Sequence, residues 1–192
     1  MSFLDFSNEE TGRSFDLLPD KTVAHVVLSL EPGKEGTPEN AFTVTNSGLL
    51  MLRLCATITE GQFAGRKFWQ NLLLGATKGT VPSEGQQKAI NIARSLVRQL
   101  LEAGRGVEPS DESAAAVQAR SMTSVHELEG LEMWVTIGID KSKDPQYSDQ
   151  NRIARVHPYK KGAAPPTATD GKPAAPGAKP PAGAAPKKPS WA

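Results

Sequence analysis

Two tryptophans carry the chemistry that this sequence can offer. Trp69 and Trp134 fall at positions where a period-two alternation turns them away from the apolar side of their strands. Lys67 and Asn71 stand beside the first and Thr136 beside the second. Arg53, Arg66, Lys141, Lys143, Arg152 and Arg155 recur along the same strand-like stretches and the loops between them. An outward indole can stack on a flat π-system, and a row of spaced cations can meet a row of phosphates; a single nucleic-acid strand offers both. Phe63 sits in the turn of a predicted hairpin, where it can clamp a base, and Tyr147 is a further stacking candidate, as is Tyr159. Plainer readings stand beside these. A lone Lys or Arg is ordinarily a solvated surface charge, and a one-residue slip of the alternation turns either indole into the core.

Other chemistries lack their residues. His25, His126 and His157 are isolated from one another in sequence, and no His/Cys/Asp spacing matches a metal site. The stretch Gly75–Thr80 holds a lysine without the spacing of a phosphate-binding loop. Gly104-Arg-Gly106 follows a predicted helix rather than a strand, the wrong context for cradling nucleotide phosphates. No nucleophile elbow and no paired carboxylates stand out. The expectation is a non-catalytic protein with no cofactor and no metal.

The elements that must position the candidates follow from periodicity. Leu49–Leu74 reads as a hairpin: Leu50, Leu52, Leu54, Ala56 and Ile58 share one face, with Arg53, Thr57 and Thr59 on the other. Its second arm sets Phe68, Leu72 and Leu74 against Lys67, Trp69 and Asn71, and the turn between the arms holds Gly61 and Gly65. Thr22–Glu31 alternates with Ala24, Val26, Leu28 and Leu30 inward and Val23, His25, Val27 and Ser29 outward. Phe42–Thr45 is a strand or a loop. Ser83 with Gln86 is a capping-box signature, and the helix that follows sets Ala89, Ile92, Ala93, Leu96, Val97 and Leu100 at spacings of three and four, the pattern of one apolar face, before a terminating Gly104. Ala114–Ala119 suits a short exposed helix, and Val125–Gly130 one turn around Leu128. Glu132–Lys141 is a strand with Met133, Val135, Ile137 and Ile139 inward, and Asn151–Val156 is a last short strand.

At 192 residues with one cysteine, Cys55, the chain suits one ordinary domain with an appendage and asks for no disulfide. The expected division is a folded body over 1–159 and a tail over 160–192. That tail holds eight prolines, ten alanines and six lysines, a composition expected to stay disordered because it cannot bury enough apolar surface to offset chain entropy. No apolar run reaches the length needed to span a bilayer, and the N-terminal residues are acidic, so the expectation is a soluble cytoplasmic protein. The net charge of +1 hides segregation. Residues 1–40 carry three Lys/Arg against eight Asp/Glu, whereas residues 49–79 carry four against one and residues 133–161 six against three. Such a chain is poorly suited to indiscriminate duplex binding, yet it can present a local cationic groove.

Strand, strand, strand, helix, strand, strand is the order of a five-stranded OB-fold barrel, mainly β with one long α-helix. Gln62-Phe-Ala-Gly-Arg-Lys-Phe-Trp69, the helix ending in Ala103-Gly104, the Leu128-Glu-Gly130 turn and Asn151-Arg-Ile occur in a familiar series. Over roughly Phe3 to Tyr159 the chain resembles the phage and prophage OB-fold single-stranded DNA-binding proteins long filed as a domain of unknown function. The resemblance implies sequence-tolerant binding of single-stranded DNA, RNA not excluded, in phage replication or recombination. It also implies partners among replication or recombination proteins and allows a homo-oligomer. The basic tail departs from the acidic tails common in single-strand binders. The alternative is a β-barrel adaptor that acts through protein contacts.

Overall fold

The computed structural model describes residues 16–142, 144, 146–157 and 166. Lys143, Tyr159, the lead-in before residue 16 and the tail from 160 onward, Pro166 apart, lie outside the described residues.

The hairpin forms as its alternation requires. β1 (Thr22–Leu30) precedes it, then the three-residue β2 (Phe42–Val44), then its arms β3 (Leu49–Ile58) and β4 (Lys67–Ala76). Leu52, Leu54, Ala56, Ile58, Phe68 and Leu72 are buried on one side; Arg53, Lys67, Trp69 and Asn71 are exposed on the other. The connection closes tightly because Gly65 takes φ +82°, letting its N–H reach the Ile58 carbonyl at 2.8 Å. Near the far end the register shifts between Leu50 and Met51, so that Leu74 has no partner across the ladder.

β3 is the middle of the sheet. β4 runs along one of its edges, and β1 and β2 share the other in tandem, β2 opposite Leu50–Leu52 and β1 opposite Leu54–Ile58. The free edge of β1 carries β5 (Glu132–Asp140), and β5 carries β6 (Gln150–His157). All the ladders are antiparallel and join six strands in one sheet. The sixth strand is β2, where the sequence left strand and loop open. Among the described residues no ladder joins β4 to β6; the Gln70 side-chain oxygen instead accepts from the Ile153 N–H at 2.9 Å.

The long helix α1 (Glu84–Gly104) starts as its capping box dictates, with Ser83 and Gln86 bonding reciprocally. It lays Ile90, Ala93, Val97, Leu100 and Leu101 against the sheet beside β4, β5 and β6. Ile92, expected on that face, is exposed, because the buried stripe runs through Ile90 instead. Gly104 does not lie past the helix end. It is the last helical residue, and a Cβ there would come within 3.0 Å of the Leu131 side chain; the left-handed turn falls at Gly106, φ +67°. The short α2 (Ala114–Ala119) is capped by Ser113, and a single 3-10 turn, Val125–Leu128, drives Leu128 fully into the core. Val26, Leu52, Met133, Val135 and Ile137 complete that core between sheet and helix. Among the described residues no helix is long and apolar enough to cross a membrane.

Candidate nucleic-acid interface

The outer face of the β3–β4 hairpin holds the site. The ladder sets Arg53 opposite Asn71, Cys55 opposite Trp69 and Thr57 opposite Lys67, which brings these six side chains to one surface. Trp69 keeps 39% of its surface exposed although it spans a sheet face, and two neighbours hold it. The Arg53 guanidinium lies 5.8 Å from the ring centroid, a cation–π contact, and the indole N–H donates to Glu31 Oε1 at 2.8 Å. Cys55 beneath is buried, so its thiol is part of the floor rather than of the surface.

A groove of about 240 Å³ opens beside the indole. Arg53, Arg66, Lys67 and Trp69 line it together with Asp16 from the segment before β1, Asp149 just ahead of β6 and Gln150 at its start. Its further wall is the segment before β1. There Asn151, buried at the start of β6, clamps Leu18 with both ends of its amide, accepting from the Leu18 N–H at 2.8 Å and donating to the Leu18 carbonyl at 3.0 Å. The Arg66 guanidinium, also within reach of the Phe63 ring at 5.8 Å, donates to the Asp16 carbonyl. Four of the residues singled out from the sequence, Arg53, Arg66, Lys67 and Trp69, are thus brought into one concave surface.

The others part company. Trp134 does not face solvent. Its alternation phase is as expected, with Met133 and Val135 fully buried on the opposite side, yet the residue is only 9% exposed. It lies between His25 of β1 and His157 of β6, its partners across the two ladders, with the His25 ring centroid 5.4 Å away. Alternation assigns a side chain to a face of the sheet and says nothing about what covers that face. His157 donates to or accepts from Thr136 Oγ1 at 2.8 Å, and burial, aided by the nearby Arg155 charge, holds its pKa below the ordinary imidazole range. Phe63 is not a free clamp either: it is half-buried and packs against the core, with Arg66 over it.

Arg152 and Arg155 are exposed on β6, opposite Gly138 and Thr136 and so on the outer side of the sheet. Lys141 and Tyr147 are exposed in the loop between β5 and β6, where Tyr147 retains 68% of its surface. Lys143 in that loop lies outside the described residues. Sequence reasoning missed Glu31, Gln70, Asp149 and Asn151, all set against the groove or its seam. Each is an unremarkable polar residue in sequence, and only the pairing of distant segments gives it a partner. Among the described residues no group of three or more His, Cys, Asp or Glu could hold a metal ion.

No protein-family model matches this chain, and no curated protein and no solved structure matches it.

Proposed function

We propose that the chain is a single-stranded DNA-binding protein, sequence-tolerant and non-catalytic, acting in replication or recombination of the phage type. The observation that carries the reading is Trp69, half exposed on a hairpin face with Arg53, Arg66 and Lys67 lining the groove at its edge. Every base has a π-face, so an indole accepts them all, and a row of cations tracks the backbone whatever the sequence. The order of ladders supports an OB-type barrel. On that reading, with the short β2 left aside, β3 and β4 correspond to the second and third strands, whose face binds oligonucleotides in that fold. The β5–β6 loop with Lys141 and Tyr147 then corresponds to the other binding loop, and the Gln70–Ile153 bond is consistent with β6 approaching β4.

In this mechanism a base stacks on Trp69 while its neighbouring phosphates meet Arg53 and Lys67, and the strand continues toward Arg152 and Arg155. Held so, the strand stays extended and cannot pair with itself. The phage-type role rests on the sequence resemblance alone. Anisotropy titration of labelled single-stranded and duplex oligonucleotides at low salt tests the reading. Preference for the single strand, weakened by Trp69→Ala, is the expected result; equal affinity for both, or none for either, overturns it. An RNA oligonucleotide of the same sequence, titrated alongside, reads the preference between the two sugars.

A further inference from the structure

Glu31 is a puzzle in a surface meant for phosphates. It directly follows β1, is half-buried, and places a carboxylate against the one exposed indole of the hairpin face, the ring beside which Arg53, Arg66 and Lys67 line the groove. A negative charge there opposes a polyanion. Its geometry supplies the compensation: Oε1 accepts from Trp69 Nε1 at 2.8 Å, and the indole N–H is the only polar handle by which that ring can be held in plane. The backbone reinforces the placement, since the Glu31 N–H bonds to the Arg53 carbonyl at 3.0 Å and so ties the carboxylate-bearing residue to the strand whose guanidinium lies 5.8 Å from the centroid of the same ring.

We propose that Glu31 is a positioning residue for base stacking: it fixes the orientation of Trp69, so that the face of the indole stays presented to a base, and it lowers non-stacking phosphate affinity in exchange. The proposal rests on the reading of the site as a single-strand interface. A tryptophan on a sheet face has several staggered rotamers open to it, and the bond from its N–H to Glu31 selects one of them. Because the bond needs an acceptor and not a charge, glutamine serves in its place and alanine does not.

Two oligonucleotides of equal length separate the contributions, one of thymidines and one of abasic deoxyribose phosphates, both titrated against the full chain by anisotropy at one fixed low salt concentration. Their affinity ratio measures stacking; the abasic affinity alone measures phosphate contact. Glu31→Ala is expected to lower the ratio about fivefold or more, toward that of Trp69→Ala, while abasic affinity stays level or rises. Glu31→Gln is expected to keep the ratio of the parent chain and to raise abasic affinity. In a Trp69→Ala background, Glu31→Ala should leave the ratio where it is. A ratio untouched by Glu31→Ala, or lowered equally by alanine and glutamine, or lowered again in the Trp69→Ala background, overturns the proposal. A parent chain that binds both oligonucleotides equally, or neither, overturns the single-strand reading itself, a different failure.

Discussion

At the scale of the residue, two tryptophans in the same alternation phase have opposite situations. Trp69 faces out over a groove and is held by one hydrogen bond and one guanidinium; Trp134 is sealed between two histidines. Substitution separates them. Trp69→Ala should weaken single-strand binding by about 1–3 kcal/mol for the base it stacks, with the melting temperature unchanged. Trp134→Ala should instead remove about 3–5 kcal/mol of folding stability, read by denaturant unfolding, because a buried indole leaves a cavity. Trp134→Phe should recover most of that loss, since the buried indole N–H has no hydrogen-bond partner among the described residues. Equal effects of the two alanine substitutions on stability would contradict the burial that distinguishes them. The residue types were legible in the sequence, and so was their phase. Their cover was not, because His25 and His157 come to Trp134 from strands that meet only through the sheet.

At the scale of the element, the capping box of α1 was readable from Ser83 and Gln86, since a cap is a contact within four residues of chain. The helix end was not, because Gly104 and Gly106 both suit a terminus and the packing of Leu131 chooses between them. Beyond that end, Arg105 reaches across to the 3-10 turn and bonds Glu127 at 2.6 Å. Glu127 also accepts from the Thr123 backbone and hydroxyl and from the Ser124 N–H, and these bonds, Thr123 first and Arg105 after Ser124, hold its pKa near 2, down from an ordinary 4.5. The folded pKa lies below the unfolded one, so Glu127 contributes stability above about pH 4.5 that is lost as the pH falls toward about 2. Glu102 works in the same sense: burial raises its pKa, but its bonds to Arg98 and Arg120 outweigh burial and leave it lowered. Comparing the unfolding free energy of the parent chain with Glu127→Gln across this range should show a gap that is constant near neutrality and narrows in acid. A gap that stays constant down to the acid limit would mean the carboxylate is not held as described.

At the scale of the whole molecule, the sheet gathers Arg53 and Lys67 from the hairpin and Arg152 and Arg155 from the last strand on its outer side. If these four residues contact phosphates as proposed, they release counterions together, and the logarithm of the single-strand association constant should fall with the logarithm of salt at a slope of about −2 to −3. Replacing Lys67 by Ala should make that slope shallower by about 0.7, and a slope near zero would remove phosphate contact from the mechanism. What the sequence determined by itself was local: which residues alternate, where α1 begins, and where the hairpin turns, because a strand's faces, a cap and a tight turn are set by neighbours along the chain. It also sorted residues such as Arg53, Lys67 and Trp69 to one face of that hairpin. Only the tertiary structure decided which faces stay open. The groove beside Trp69 needs β6 and the segment before β1 to form its walls, and the cover over Trp134 needs β1 and β6 on either side, contacts between segments far apart in sequence whose pairing no local pattern specifies.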